Sequence, residues 1–202
     1  MLVVMPGDTL ATLALGSLTL YGLVTLLGRT IVQRIREQDS GWRGVSGRVG
    51  SLQWFAGVGL AIAVLGLPLS VVLAPCESSV APWRVALGGT GFLLGFIATL
   101  GAQLAMGRSW RIGVRAGEHT ELRTGGPFRW SRNPVFAGML ATTGALVLWT
   151  PSIALPWGLM WLALQLQVRV VEEPHLLDVH GDAYRQYAAR TGRFIPGLGR
   201  DL

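Results

Sequence analysis

Val135-Phe-Ala-Gly-Met-Leu-Ala-Thr-Thr-Gly-Ala-Leu-Val-Leu-Trp149 is followed, after Thr150-Pro-Ser152 alone, by Ile153-Ala-Leu-Pro-Trp-Gly-Leu-Met-Trp-Leu-Ala-Leu-Gln-Leu-Gln-Val168. A helix crossing a hydrocarbon core of about 30 Å needs about 20 residues, so each run is short for an independent span. Three residues between them leave room only for a tight turn. The two runs therefore read as one helical hairpin with its tip near the far interface. Working outward, three longer apolar windows precede the hairpin, at 9–28, 51–74 and 85–106. With 50% hydrophobic and 14% charged residues, the chain falls outside the soluble range. The expected fold is all-α, a polytopic membrane helical bundle of about five transmembrane helices. Its 202 residues, 1–202, suit one compact integral-membrane domain with no separate soluble unit.

All 17 basic residues are Arg. Arg29, Arg34, Arg36, Arg43 and Arg48 fill the first loop, and Arg108, Arg111, Arg115, Arg123, Arg129 and Arg132 the third. Arg169, Arg185, Arg190, Arg193 and Arg200 follow the last span, while the opposite side keeps only Arg84. The positive-inside rule then sets the N-terminus out and the C-terminus in. This charge is spread over loops flanking spans rather than gathered on one face, which argues against nucleic acid and for anionic membrane lipids as partners. The N-terminal residues lack a basic n-region and a small-residue cleavage site, so the first span is expected to be retained. Cys76 is the only cysteine, and His119, His175 and His180 have no metal-ligand spacing, so no metal site is expected.

Gly88-Gly-Thr-Gly-Phe-Leu-Leu-Gly95 lies inside an apolar span with no strand before it, which removes a dinucleotide reading. Gly91 and Gly95 instead make a small-xxx-small face for close helix packing. Trp42, Trp54, Trp83, Trp110, Trp130 and Trp149 near the span ends read as an interfacial aromatic belt. Asn133-Pro134 is a helix-start signal, with Asn as N-cap and Pro at the first helical position. Such a start also exposes amide donors suited to a carboxylate or phosphate, and Arg129 and Arg132 stand just upstream. After the last span, Arg169, Glu172, Glu173 and Leu176 recur at three- and four-residue spacing. They read either as an ordinary Arg169 to Glu173 pair or as acids kept at a membrane exit to bind a ligand.

Gly126-Pro-Phe-Arg-Trp-Ser-Arg-Asn-Pro-Val-Phe-Ala-Gly138, Arg169-Val-Val-Glu-Glu173, His180-Gly-Asp-Ala-Tyr-Arg-Gln-Tyr187 and Arg193-Phe-Ile-Pro196 together resemble the isoprenylcysteine carboxyl methyltransferase and phospholipid methyltransferase superfamily. Gly107-Arg-Ser-Trp-Arg111 resembles that family's short segment after the third span. Asn133, Phe136 and His180 depart from the usual His, Tyr and Phe. The resemblance implies an S-adenosylmethionine-dependent methyltransferase of a bacterial cytoplasmic membrane, with a cytoplasm-facing cofactor pocket in 107–202 and three N-terminal spans in 1–106. S-adenosylhomocysteine is then the product, and the acceptor is lipophilic, either an isoprenylcysteine-like carboxylate or another membrane-partitioned molecule. It places the cofactor against Gly126, Pro127, Arg129, Arg132, Asn133, Pro134, Phe136 and Gly138, with Glu172, Glu173, Tyr184 and Tyr187 completing the pocket. Arg169, Glu172 and Glu173 are the expected catalytic residues. A carboxylate acceptor needs an orienting cation, for which Arg169 is the first choice, whereas an amine or thiol needs one of the acids as base. The competing readings are an NADPH-dependent sterol-type reductase and a non-enzymatic module for anionic lipid.

Overall fold

The computed structural model describes residues 5–74, 77–113 and 121–200. Cys76, Arg115 and His119 therefore lie outside the described residues. All regular structure in the described part is helical: α1 (Gly7–Gly22), α2 (Arg29–Glu37), α3 (Leu52–Leu73), α4 (Pro82–Met106), α5 (Pro134–Ala145), α6 (Ala154–Gln167) and α7 (Glu173–Arg190). A π-helical turn, Leu23–Gly28, joins α1 to α2 in one rod, and a second, Val168–Glu172, joins α6 to α7. Four of the resulting rods are long and apolar enough to cross a membrane, and Pro134–Leu148 is a shorter apolar helix. The chain is thus a polytopic helical membrane protein.

The windows at 51–74 and 85–106 coincide closely with α3 and α4, and Ser51 caps α3 by accepting a hydrogen bond from the Trp54 amide (3.2 Å). The window at 9–28 differs, because the helix runs past the apolar boundary through the Arg-rich residues of α2. Arg29 permits this by donating from Nη2 to the Gly107 carbonyl (2.7 Å) and lying over the Trp110 ring (5.3 Å). Trp110 is consequently buried, whereas Trp42, Trp83 and Trp130 are exposed in the manner expected of a belt.

Short 3-10 turns at Leu146–Leu148 and Pro151–Ile153 close the hairpin, and Trp157 donates from Nε1 to the Leu140 carbonyl across it (2.9 Å). One arm, α5, packs along α4, and the other, α6, along α3. Glycine makes the first pairing close. A methyl group on Gly95 would sit 2.6 Å from the Thr142 amide, and one on Gly91 would sit 2.9 Å from the Ala145 Cβ. Buried Ala14, Ala63, Leu67, Leu146, Ile153 and Met160 fill the centre between α1, α3 and the hairpin. Leucines and isoleucines such as Leu65, Leu69, Ile97 and Leu155 remain on the outside, which is the arrangement a hydrocarbon solvent favours.

Contacts at the two ends sort the loops. Met5 pairs with Val80, and Arg84 donates from Nε to the Leu148 carbonyl (2.8 Å), so the hairpin tip and the N-terminus share one end. At the other end Trp42 pairs with Ile112 and Ser131 with Gly192, which gathers the Arg-rich segments there.

Candidate functional site

The start of α5 and the C-terminal strap after α7 build the floor of the site. Ser131 and Gly192 form a parallel bridge in which the Arg132 amide donates to the Gly192 carbonyl (2.8 Å) and the Asn133 amide to the Arg193 carbonyl (3.1 Å). The same Arg193 carbonyl accepts from Asn133 Nδ2 (2.9 Å) and Ser131 Oγ (3.2 Å). This corrects the expectation that Asn133 caps the helix with its side chain. Its carboxamide is turned to the strap, and no side chain caps α5. Pro134 holds the first helical position as expected, where its missing N–H costs nothing.

The strap delivers a guanidinium to the paired-acid segment. Arg193 grips Glu173 with two parallel bonds, Nε to Oε1 (2.8 Å) and Nη2 to Oε2 (3.0 Å). Arg132 adds a third, its Nη2 lying 3.0 Å from Glu173 Oε1 and also donating to the Gly199 carbonyl (2.6 Å). All three side chains are buried. Two guanidinium groups thus converge on the one Glu173 carboxylate. The Nε and Nη1 donors of Arg132 are buried without an acceptor among the described residues. Unmatched donors on a buried cation are costly, which marks them as sites for an anionic ligand group.

Arg169 is not part of this cluster. The π-helical turn adds a residue per turn across Val168–Glu172. That rotates Arg169 out of the simple i,i+4 relation with Glu173, so the ion pair of the first of the two readings does not form. Arg169 is exposed on the outside of the rod instead.

Glu172, half-buried, faces a different set of groups. Gln167 hydrogen-bonds its carboxyl and the charge of Arg111 acts on it. The apolar part of the α6 rod ends at Val168, so Glu172 stands on the polar extension beyond the spanning segment. Burial pushes its carboxyl up to about 7, against the opposing pull of Arg111 and the Gln167 hydrogen bond. The segment that carries Arg111 is fixed by the first loop: Gln33 Nε2 donates to the Arg108 carbonyl (3.2 Å), and the Ile112 amide to the Gly41 carbonyl (2.8 Å).

Tyr184 and Tyr187 pack edge to face (6.1 Å) with Leu122, Leu176 and Leu177 around them. The Tyr187 hydroxyl donates to the Phe128 carbonyl (2.6 Å), tying α7 to the 3-10 turn Gly126–Arg129. Burial pushes the Tyr187 phenol up to about 12 and also raises that of Tyr184, beside which Glu173 adds a second upward push. Both are therefore neutral hydrogen-bond donors at physiological pH.

The structure thus brings together Arg132, Asn133, Glu172, Glu173, Tyr184 and Tyr187. Gly126 and Pro127 shape the turn that Tyr187 holds, and Gly126 has a φ of +58°. Arg129 is exposed and lies over the Trp130 ring (5.0 Å). Phe136 packs against the apolar core, and a methyl group on Gly138 would sit 2.5 Å from Thr99 Oγ1, so these two meet neighbouring helices. Arg193, Arg111 and Gln167 were not among the expected site residues. The first two lie in segments whose motifs pointed to them, Arg193-Phe-Ile-Pro196 and Gly107-Arg-Ser-Trp-Arg111, but Gln167 carries no sequence signal beyond a polar side chain in an apolar run.

Residues 83–183 match the family model described as phospholipid methyltransferase. That segment contains Arg111, Arg132, Glu172 and Glu173, and stops short of Tyr184 and the strap. No curated protein matches the chain.

Proposed function

The chain belongs to the phospholipid methyltransferase family, and from that premise we propose that it is an S-adenosylmethionine-dependent methyltransferase acting on a lipophilic acceptor. The observation that carries the cofactor is the buried Arg132–Glu173–Arg193 cluster, with two donors on Arg132 unmatched among the described residues. Either donor fits an oxygen of the carboxylate at the cofactor's amino-acid end, through a charge-assisted hydrogen bond. Glu172 fits a hydroxyl or ammonium group. When bound, the cofactor supplies an electrophilic methyl group on a sulfonium.

The chain's own contribution is positioning in a water-poor pocket. Glu173 fixes both guanidinium groups, so the Arg132 donors are oriented before a ligand arrives. Tyr187 holds the turn beneath α7 through the Phe128 carbonyl, and the buried tyrosines keep water from the cluster. A carboxylate acceptor is already a nucleophile. For an amine or thiol acceptor, Glu172 is the base, because its raised pKa suits proton removal near neutral pH. We place the site on the cytoplasmic face of the membrane, on the Arg asymmetry.

Membranes carrying the chain should pass labelled methyl from S-adenosylmethionine into an organic-extractable product. With an amine or thiol acceptor, the rate should climb as pH rises through about 7, as the Glu172 carboxyl loses its proton. Glu172→Gln should then lose that limb and fall by about a hundredfold or more, the usual worth of a positioned base. A Gln variant that keeps both limb and rate removes Glu172 from the chemistry.

A further inference from the structure

Arg169 presents a charge that no described residue answers. It is exposed at the membrane exit of the α6 rod, and no ion pair to it exists among the described residues. Acids stand three and four residues away, yet both are engaged elsewhere: Glu173 by Arg132 and Arg193, and Glu172 by Gln167 and Arg111. The π-helical turn directs Arg169 away from them. It ends instead at one side of an open cleft of about 360 Å³, lined by Trp161, Leu162, Gln165, Leu166 and Arg169.

Those positions recur at i, i+1, i+4, i+5 and i+8, which is one stripe along a helix. At 1.5 Å per residue, the eight steps from Trp161 to Arg169 rise about 12 Å. The stripe therefore leads from an aromatic and two leucines at hydrocarbon depth to a cation at headgroup depth. Trp161 and Leu162 are exposed, so the stripe faces lipid rather than a neighbouring helix. A cation at headgroup depth attracts an anionic headgroup. A phosphodiester above an acyl chain matches both the charge and the length of the stripe.

We propose that the cleft along Trp161, Leu162, Leu166 and Arg169 is a binding site for one acidic phospholipid of the leaflet at the Arg-rich end. Its phosphate pairs with Arg169 and one acyl chain lies along the leucines and Trp161. The site lies outside the Arg132–Glu173–Arg193 cluster and does not depend on the methyltransferase reading.

The test uses the full chain in mixed bilayers of phosphatidylcholine with either phosphatidylglycerol or more phosphatidylcholine, the second lipid carrying brominated acyl chains that quench tryptophan. Brominated phosphatidylglycerol should quench more than brominated phosphatidylcholine at equal mole fraction, and Trp161→Phe should remove most of that excess. Arg169→Gln should lower the preference for the acidic lipid about fivefold, the effect of one surface arginine, and Arg169→Lys should restore part of it. Arg185→Gln, which removes an exposed charge on α7, should leave it unchanged. An undiminished preference in Arg169→Gln, or an equal loss in Arg185→Gln, would mean that only the general surface potential attracts the lipid, and would overturn the proposal. Native mass spectrometry of each folded variant, counting retained phosphatidylglycerol, should rank them in the same order; any other order counts against the site.

Discussion

Glu173→Gln is expected to cost the fold about 3–5 kcal/mol, the range for removing one partner of a buried charge pair. The carboxylate lies between two buried guanidinium groups, with three contacts of 2.8, 3.0 and 3.0 Å. Glutamine keeps one acceptor oxygen but replaces the other with a donor that faces Arg N–H groups. It also leaves two positive charges in one desolvated space. Thermal unfolding of the purified protein in detergent should show a large downward shift for Glu173→Gln. The paired change Glu173→Gln with Arg193→Gln should be less damaging than the sum of the singles, since it removes one of the repelling charges. Additive losses would show that the groups do not act as a unit.

Gly192→Ala is the second large effect. Its new methyl would lie 2.0 Å from the Ile195 carbonyl oxygen, 2.8 Å from that of Leu198 and 2.9 Å from the Gly197 nitrogen. All three are backbone atoms of the strap, so no side-chain rotation relieves them. The turn after Gly192 must open, which draws Arg193 off Glu173 and its carbonyl away from Ser131 and Asn133. The cost should reach or exceed about 3 kcal/mol, the upper end for overpacking. Gly125→Ala supplies the contrast: no atom of the described residues lies within 4 Å of its methyl and φ is −94°, so stability should change by less than about 0.5 kcal/mol. Chemical denaturation of the two variants side by side checks the pair. Comparable stability would mean that the strap is not held as described.

The span positions and the hairpin were legible because apolar length and the three-residue turn at Thr150–Ser152 are local properties. The gathering of Arg at one end was equally legible, since the positive-inside rule counts residues without needing their contacts. Gly91 and Gly95 announced a close-packing face through their spacing, though not that α5 is its partner. What stayed hidden is non-local or a matter of phase. No periodic signal links Ser131 to Gly192, so the strap that holds Arg193 against Glu173 could be named as a motif but not as a contact. The π-helical turn at Val168–Glu172 leaves no composition mark, yet it decides that Arg169 parts from Glu173. Asn133 before Pro134 has the same local signature whether its side chain caps the helix or reaches the Arg193 carbonyl. Residues 29–37 continue the first helix because Arg29 finds Trp110 and the Gly107 carbonyl, a partner set 78 or more residues away.

The Arg132 cluster is proposed to hold the amino-acid end of S-adenosylmethionine. Equilibrium binding of S-adenosylhomocysteine to the purified full chain, with NADPH titrated in parallel, tests it most directly. Binding of S-adenosylhomocysteine should be saturable and not displaced by NADPH, and should weaken about tenfold or more in Arg132→Gln, the range for a hydrogen bond to a charged group. Saturable binding of NADPH with none of S-adenosylhomocysteine, or unchanged S-adenosylhomocysteine affinity in a folded Arg132→Gln variant, would contradict it.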